Sequence, residues 1–387
     1  MSSKYNQGFT LPELLITIVI TVIIASIGFL NLFNYQESQN LKLSFQEVVA
    51  DIRDTQKRAI TQDGGSGWGI RFIDSPTVGQ RYEIFSGSSY TPSAVNKFYN
   101  LRRLVSFGEP FSSSTYDAIF SAISGSLSEN KIISLIGSRP NGLVADIIMN
   151  KSGLTTGRFE NNVQGYWHFD EGMATTTHDA SGFNKNGSLY GDAVTICSNP
   201  PTAGCHTWRT LSSCKSGGCL DFYAVDADDD YVSTGFILNP AVSDSFSAEA
   251  WVKLEEDLGD YQVILQQTGS NGRTWLYRGD GGSSAKLCSD LFLIPGTCSQ
   301  RALSVNQWIH VVVVIDGSVD VVRLYLQGLL DVTGSGFNYS SATGGMLIGR
   351  HANQSFAEGW SGLIDEVRIY NRVLSAQEIL NHYNDLK

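Results

Sequence analysis

Proline is scarce in this 387-residue chain, with 9 residues against 39 glycines. That ratio excludes a proline-rich linker or a collagen-like repeat and suits a loop-rich β protein. Charge is sparse too: Asp, Glu, Lys and Arg make up 17% while apolar residues reach 42%, a balance that favours folding over disorder. Basic residues are the scarcer sign. From Gln164 to Lys387 there are 13 Lys and Arg against 25 Asp and Glu, so the net −11 of the chain lies almost wholly there. A module of that charge is a poor generic ligand for nucleic acid, and none is expected as a partner. No Cys-x-x-Cys pair and no His-x-x-x-His occurs, which argues against zinc. One stretch lacks charge altogether, the 23 residues from Leu14 to Gln36. About 20 mostly apolar residues suffice to cross a bilayer as a helix.

What is present begins with the six cysteines, Cys197, Cys205, Cys214, Cys219, Cys288 and Cys298, all in the acidic half. An even count in Gly/Ser-rich segments reads as disulfides in an oxidising, extracytoplasmic place. Cys288 and Cys298 stand apart from the rest and are expected to pair. The other four allow three pairings, which spacing leaves open.

At the start, Gly8-Phe9-Thr10-Leu11-Pro12-Glu13 leads directly into the uncharged run. A secretory signal is cut beyond its apolar core. A cut at Gly8-Phe9 would leave that core on the mature chain. A carboxylate at the edge of such a span is costly in lipid, which makes Glu13 a functional candidate, although an ordinary uncleaved anchor also fits the spacing. The segment Gly8-Phe9-Thr10-Leu11-Pro12-Glu13-Leu14-Leu15 resembles the class III leader of type IV pilins and type II secretion pseudopilins. The resemblance implies a leader over 1–8, removal by a prepilin peptidase between Gly8 and Phe9, and N-methylation of Phe9. It also implies that Glu13 pairs with a neighbouring subunit's N-terminal amine during filament assembly. The chain would start in the inner membrane as a single-pass protein, N-terminus cytoplasmic, and then move to a surface filament.

Helical periodicity continues past the span, with Leu41, Phe45, Val48, Val49, Ile52, Ala59 and Ile60 at three- and four-residue steps and charges between them. Asp63-Gly64-Gly65 is the stop signal. Residues 9–63 therefore read as one long helix of about 80 Å, transmembrane over about 14–36. A coiled-coil stalk and a pilin helix carrying a β head both fit that pattern. Alternating segments follow at Trp68–Ile73 and Arg81–Phe85, with shorter strands expected near 101–107, 118–122, 131–135 and 145–149. Together with Lys57-Arg58-Ala59-Ile60 and Lys151-Ser152-Gly153, these features resemble the GspH/FimT family of minor pseudopilins. That implies a small β head over 64–160. Some members bind DNA through basic heads, but here Arg71, Arg81, Arg102, Arg103, Arg139 and Arg158 are scattered among acids.

From Gln164 the pattern changes to many short strands parted by Gly, Asn, Asp and Ser, which reads as a β-sandwich. Ser375-Ala376-Gln377-Glu378 opens a short helix with a capping box. The run of motifs from Trp167-His168-Phe169-Asp170-Glu171-Gly172 to Ile364-Asp365-Glu366-Val367-Arg368-Ile369-Tyr370 resembles the laminin-G-like, concanavalin A-like jelly roll of bacterial adhesins and glycosidase appendages. The expected class is thus an α+β pilin-like part followed by an all-β sandwich over 164–387, its first and last strands paired. The stretch 196–219 reads as an insertion.

Some relatives of this fold cleave β-glucans with a Glu-x-Asp-x-x-Glu strand. That pattern is absent, and Asp365 and Glu366 should point to opposite faces of their strand, so no enzyme is expected. Relatives often hold a structural Ca²⁺ near the terminal strands. The resemblance places Asp170, Asp179, Asn184 and Asp365 there, while Asp179-Ala180-Ser181-Gly182 also fits a plain Asx-turn. Asp226 to Asp230 is a denser acid run that suits a solvated strand entry. For ligand stacking the candidates are Trp275, Tyr277 and Trp360, with Tyr261, His351 and Phe356 beside them; each also suits a core role. His178, His206 and His310 have no triad pattern. The expected function is a minor pilin or pseudopilin presenting a head for adhesion to a glycan or protein. A type II secretion pseudopilin with a cargo-selecting head is the alternative.

Overall fold

The computed structural model describes residues 11–111, 113–138, 142–172, 174–191, 195–196, 207–210, 213–223, 230–238, 245–258, 261–269, 273–279, 285–289, 296–335, 343–351 and 358–387, with backbone alone at 23–34, 195–196, 210 and 273. Gly8, Phe9, Cys197, Cys205, His206 and Phe356 lie outside the described residues, as does most of the 226–230 acid run.

Helix α1 spans Leu11–Thr61. Its second half is amphipathic: Leu41, Val48, Val49, Ile52 and Ala59 are buried while the charges between them face out. It ends where Gln62 enters the left-handed region (φ 52, ψ 42) and a 3-10 turn follows at Asp63–Gly65. Left-handed backbone is the usual way to stop a helix. Side chains from Leu11 to Val22 are exposed. Among the described residues no helix is long and apolar enough to cross a membrane.

Eight strands follow: β1 (Trp68–Ser75), β2 (Gly79–Ser86), β3 (Val95–Asn100), β4 (Val105–Glu109), β5 (Thr115–Phe120), β6 (Lys131–Gly137), β7 (Val144–Met149) and β8 (Thr155–Glu160). They form two antiparallel sheets, ordered β3-β2-β1-β5 and β4-β6-β7-β8. The α1 stripe packs on both, meeting Ile70, Phe72, Phe120, Ile133, Leu135, Ile147 and Met149 in one core. Each fully buried side chain of this kind contributes roughly 1.5–3 kcal/mol. Gly157 allows the approach of Phe45, since a Cβ there would lie 2.3 Å from the ring. The strands expected near 101–107 and 118–122 are observed shifted. Strands β3 and β8 lie outside the expected set; β3 is a mostly exposed edge strand without apolar alternation.

The remaining chain supplies β9 (Val163–Trp167), β10 (Thr176–Thr177), β11 (Gly187–Gly191), β12 (Thr195–Ile196), β13 (Thr207–Thr210), β14 (Gly218–Phe222), β15 (Tyr231–Thr234) and β16 (Ser245–Leu254). Then come β17 (Gln262–Gln267), β18 (Arg273–Arg278), β19 (Lys286–Ser289), β20 (Thr297–Ala302), β21 (Trp308–Asp316), β22 (Val321–Leu326), β23 (Leu329–Ser335), β24 (Met346–Ile348), β25 (Gly362–Tyr370) and helix α2 (Ala376–Leu386). Two sheets result. The first runs β13-β14-β25-β16-β21-β22-β23 with β9 on β25, the second β10-β11-β15-β24-β17-β18-β19-β20 with β12 on β11. Their facing sides interdigitate through residues such as Trp167, Phe222, Phe246, Trp275, Val313, Trp360 and Ile364. First and last strands pair, with Trp167 opposite Val367 and Tyr166 opposite Arg368.

The first sheet is buried on both sides: every residue of β25 and nearly every residue of β16 and β21 is inaccessible. Antiparallel sheets commonly leave one face to water. Here that face is covered. Val312, Val314, Tyr325 and Tyr370 pack with Val144 and Ile136 of the preceding sheet, and Trp251 packs with Ile132, Ile148 and Leu386. The sandwich is therefore docked broadside on β6 and β7. Helix α2 closes one edge, its Ser375 capping box formed as expected.

Candidate functional site

Polar side chains on the docked faces form a buried seam. Glu366 accepts from the Tyr166 hydroxyl at 2.6 Å, meets His168 Nδ1 at 2.8 Å and takes Arg368 Nη2 at 2.7 Å. Arg368 also donates to Glu249 at 3.0 Å. His382 of α2 bridges Glu249 and Glu160 at 2.9 Å each, and Arg158 reaches Asp146, Glu160 and Asp385. A buried carboxylate is costly without cations. Burial pushes Glu249 up, but His382, His310 and Arg368 outweigh it and hold the carboxyl well below its usual range. The same contest, decided by His168 and Arg368, brings Glu366 down to about 2. Burial opposes protonation of His168 and His382, but Glu366 and Glu249 outweigh it and raise both imidazoles. Four carboxylates (Asp146, Glu160, Glu249 and Glu366) thus meet two guanidiniums and two imidazoles of raised pKa.

Within the seam, Ser134 Oγ lies 3.1 Å from His168 Nε2, so Ser134, His168 and Glu366 follow the order of a nucleophilic triad. The resemblance ends at the hydroxyl. Ser134 is fully buried and donates to Asp146 Oδ1 at 2.6 Å, so its proton is directed away from the base. The arrangement orders the seam and offers no substrate a path.

One expectation about the acids is corrected. Ile364 and Val367 both enter the sandwich core, with two residues rather than one between them. Glu249 pairs with Arg368 but Trp251 with Asp365, so β25 carries one extra residue, and Glu366 there has φ 52. This bulge puts Asp365 and Glu366 on the same outer face, not on opposite faces. Asp365 accepts from the Lys215 and Ser216 backbone N–H groups at 2.9 and 3.1 Å, and burial beside Glu366 and Asp170 pushes it well above the usual range.

Of the four residues proposed for calcium, Asp170 and Asp365 lie near one another, while Asp179 and Asn184 are taken up in a turn of their own. Asp179 accepts from the N–H groups of Tyr166, Ser181 and Lys185 at 2.9–3.0 Å and so organises its own turn. Asp170 binds Lys131 and the Gly218 N–H. Asn184 takes a left-handed turn position at φ 55. Among the described residues no group of three or more His, Cys, Asp or Glu could hold a metal. Among the described residues there are two disulfides. Cys288–Cys298 forms as expected, and Cys214–Cys219 settles one pair among the other four cysteines.

Of the stacking candidates, Trp275 and Trp360 are core residues, 1% and 0% exposed, and cannot face a ligand. Trp275 packs edge-on against Phe246 at 4.4 Å. Ile264 and Leu265 both point inward at a bulge in β17, which leaves Val263 and Tyr277 on the outer side of the second sheet. There Tyr261, Val263, Thr274, Tyr277, His351 and Glu358 line a pocket of about 240 Å³. The two tyrosine rings stand 5.6 Å apart, inclined by 61°. His351 Nδ1 lies 2.9 Å from Glu358 Oε2. The Glu358 carbonyl accepts from the Val263 N–H at 2.9 Å, which ties its segment to β17. Cys288 and Cys298 pack behind the tyrosines. The two tyrosines and His351 are legible in the sequence as aromatics beside loops, but Glu358, inside an irregular stretch, carries no signal.

Residues 3–29 match the prokaryotic N-terminal methylation motif, and residues 226–380 match the concanavalin A-like lectin/glucanases superfamily. The chain carries a prepilin-type N-terminus and a concanavalin A-like domain. Among solved structures, domain 4 of AbnA, a GH43 extracellular arabinanase from Geobacillus stearothermophilus, is 18% identical, with 58% of this chain and 98% of that one covered and a TM-score of 0.43. The receptor binding domain of botulinum neurotoxin C/D mosaic serotype is 14% identical over 58% of this chain and 51% of its own, at 0.40. The binding domain of Paraclostridial Mosquitocidal Protein 1 is 13% identical over 58% and 52%, at 0.43. The chain spans about half the length of these toxin domains, and likeness this distant transfers no ligand. No curated protein matches the chain.

Proposed function

We propose that this protein is a minor subunit of a type IV pilus-like filament that presents its sandwich for recognition of a surface glycan or protein. One observation carries the reading: a prepilin-type N-terminus and a concanavalin A-like domain share a chain in which one sheet of the sandwich is docked and the opposite sheet bears the pocket. In this reading residues 1–8 are removed by a prepilin peptidase between Gly8 and Phe9, and Phe9 is methylated. The start of α1 and the uncharged residues after it then hold the subunit in the inner membrane until assembly. Glu13, exposed in the first turn of α1, sets register against a neighbouring subunit's amine. A carboxylate entering an apolar filament core needs such a cation. Residues 64–160 serve as a GspH/FimT-like head, and the role is binding, not catalysis. A structural Ca²⁺ remains part of the proposal only as a stabiliser, testable by whether EDTA lowers the melting temperature.

The test is mass spectrometry of the N-terminus in sheared filaments and in membranes. A methylated Phe9 terminus in the sheared fraction is expected. An intact Met1 confined to membranes would overturn the filament role. A cargo-selecting secretion pseudopilin is the second reading; loss of a secreted protein, with adhesion unchanged, on deletion of the gene would favour it.

A further inference from the structure

The Tyr261–Tyr277 pocket lies on the only broad face of the sandwich that the described residues leave undocked, the outer side of the β17-β18-β19 sheet. Its chemistry is selective. The polar wall is the His351–Glu358 pair, and among the described residues no Lys or Arg lines it. His351 engages Oε2, which leaves Glu358 Oε1 with no partner among the described residues. Two aromatic rings line the same pocket. The surrounding module carries 25 acids against 13 Lys and Arg from 164 to 387, so its field repels anions at a distance and attracts cations. A neutral sugar could use the rings and donate a hydroxyl to the carboxylate, but would gain nothing from the field. A positively charged group gains from all three, because aromatic faces attract ammonium ions.

From these features we infer that the pocket takes an alkylammonium group, a primary or quaternary amine displayed on the surface to which the protein binds. The inference rests on the recognition role proposed above and names its ligand chemistry. At about 240 Å³ the cavity lies just below the range of roughly 300–1,000 Å³ typical of drug-sized ligands, so it admits a headgroup or side-chain end rather than an extended chain. The Cys288–Cys298 bridge behind the rings fixes the wall before the ligand arrives, which reduces the ordering cost of binding.

The experiment uses the full chain in a polyoxyethylene detergent, titrated calorimetrically with choline, with Nα-acetyl-lysine methylamide and with galactose. Choline and the lysine derivative separate a lipid-type headgroup from a protein side chain as the source of the amine. Expected is binding of at least one amine, weakened by added salt, with galactose silent. Glu358→Gln keeps the side chain's shape and removes its charge, and should cost about tenfold in amine affinity, the ratio that about 1.4 kcal/mol represents. Tyr261→Ala should weaken amine binding too, and unchanged melting temperatures would exclude misfolding in both variants. Galactose bound through Tyr261 and indifferent to Glu358→Gln would overturn the ammonium inference yet leave the recognition role standing. Amine binding untouched by both substitutions would move the site elsewhere. No binding to any of the three would also overturn the inference. If cells lacking the protein adhered as well as wild type, the recognition role would fall with it.

Discussion

His168 and Glu366 meet at 2.8 Å, ring nitrogen to carboxylate, one just past the first strand of the sandwich and the other on its last. Both are buried. Through Ser134 the pair reaches β6, so a contact that closes the sandwich also fastens it to the sheet beneath.

Arg368→Met should destabilise the protein by about 3–5 kcal/mol, because it strips the cation from Glu249 and Glu366 while leaving both carboxylates buried. Urea denaturation followed by tryptophan fluorescence measures this. A change below about 1 kcal/mol would mean that water reaches the seam.

The seam sets a pH window. Glu366, held down at about 2 against an unfolded value of 4.5, contributes stability that is complete above about 4.5 and lost as pH falls toward 2. His168 and His382 are raised, so their contribution is complete below the unfolded 6.5 and lost as pH rises through their folded values. Glu171, pushed up to about 8 by burial, costs stability progressively from its unfolded 4.5 up to about 8, which tilts the optimum toward the acid end. Melting temperature should therefore peak between about pH 4.5 and 6.5. His168→Asn should flatten the alkaline limb while lowering the peak.

Ser375→Ala removes the N-cap of α2 and should cost about 1 kcal/mol by helix-capping precedent. Since α2 also carries His382, amide exchange should rise along the seam as well as in the helix. Exchange confined to residues 375–380 would show that α2 frays without loosening the docked face.

Replacing Cys288 and Cys298 together by alanine should lower stability by about 2–3 kcal/mol, given the short closed loop. Any amine affinity measured for the pocket should fall with it, because the bridge packs behind Tyr261 and Tyr277.

Glu13→Ala should leave leader removal intact but deplete the protein from sheared filaments, with accumulation in the membrane fraction. Immunoblots of the two fractions decide it. Equal recovery from filaments would remove any assembly role for the carboxylate.

Much of the fold was legible because its strands carry strong patterns. Trp308–Asp316 is a β-branched run, Gly362–Tyr370 follows turn residues, and Ser375 with Glu378 announces a cap. The docking of the sandwich was not legible. Glu249, His168 and Arg368 look like a solvated strand face, and only their partners on other strands show that they are buried charges. The bulge at Glu366 was hidden for a similar reason, since the extra residue is defined by its register against β16. Trp275 and Trp360 flank loops in sequence, yet both enter the core between the sheets. At the pocket, aromatic residues drew notice while Glu358 did not, because an isolated acid in a loop has no pattern to stand out from.

The position of β25 has a consequence for how the molecule is made. It lies between β14 and β16 and also receives β9, so the last strand in sequence is a central one in space. A nascent chain emerging with residues up to 361 would have every other strand of the sandwich and still no closed sheet. Closure by such distant pairing is slow, since loop entropy must be overcome first. If the N-terminus is held in the membrane while the rest crosses, the sandwich spends its whole passage open, with the edges of β14 and β16 that β25 will cover unpaired before whatever holdase or neighbouring chain is near.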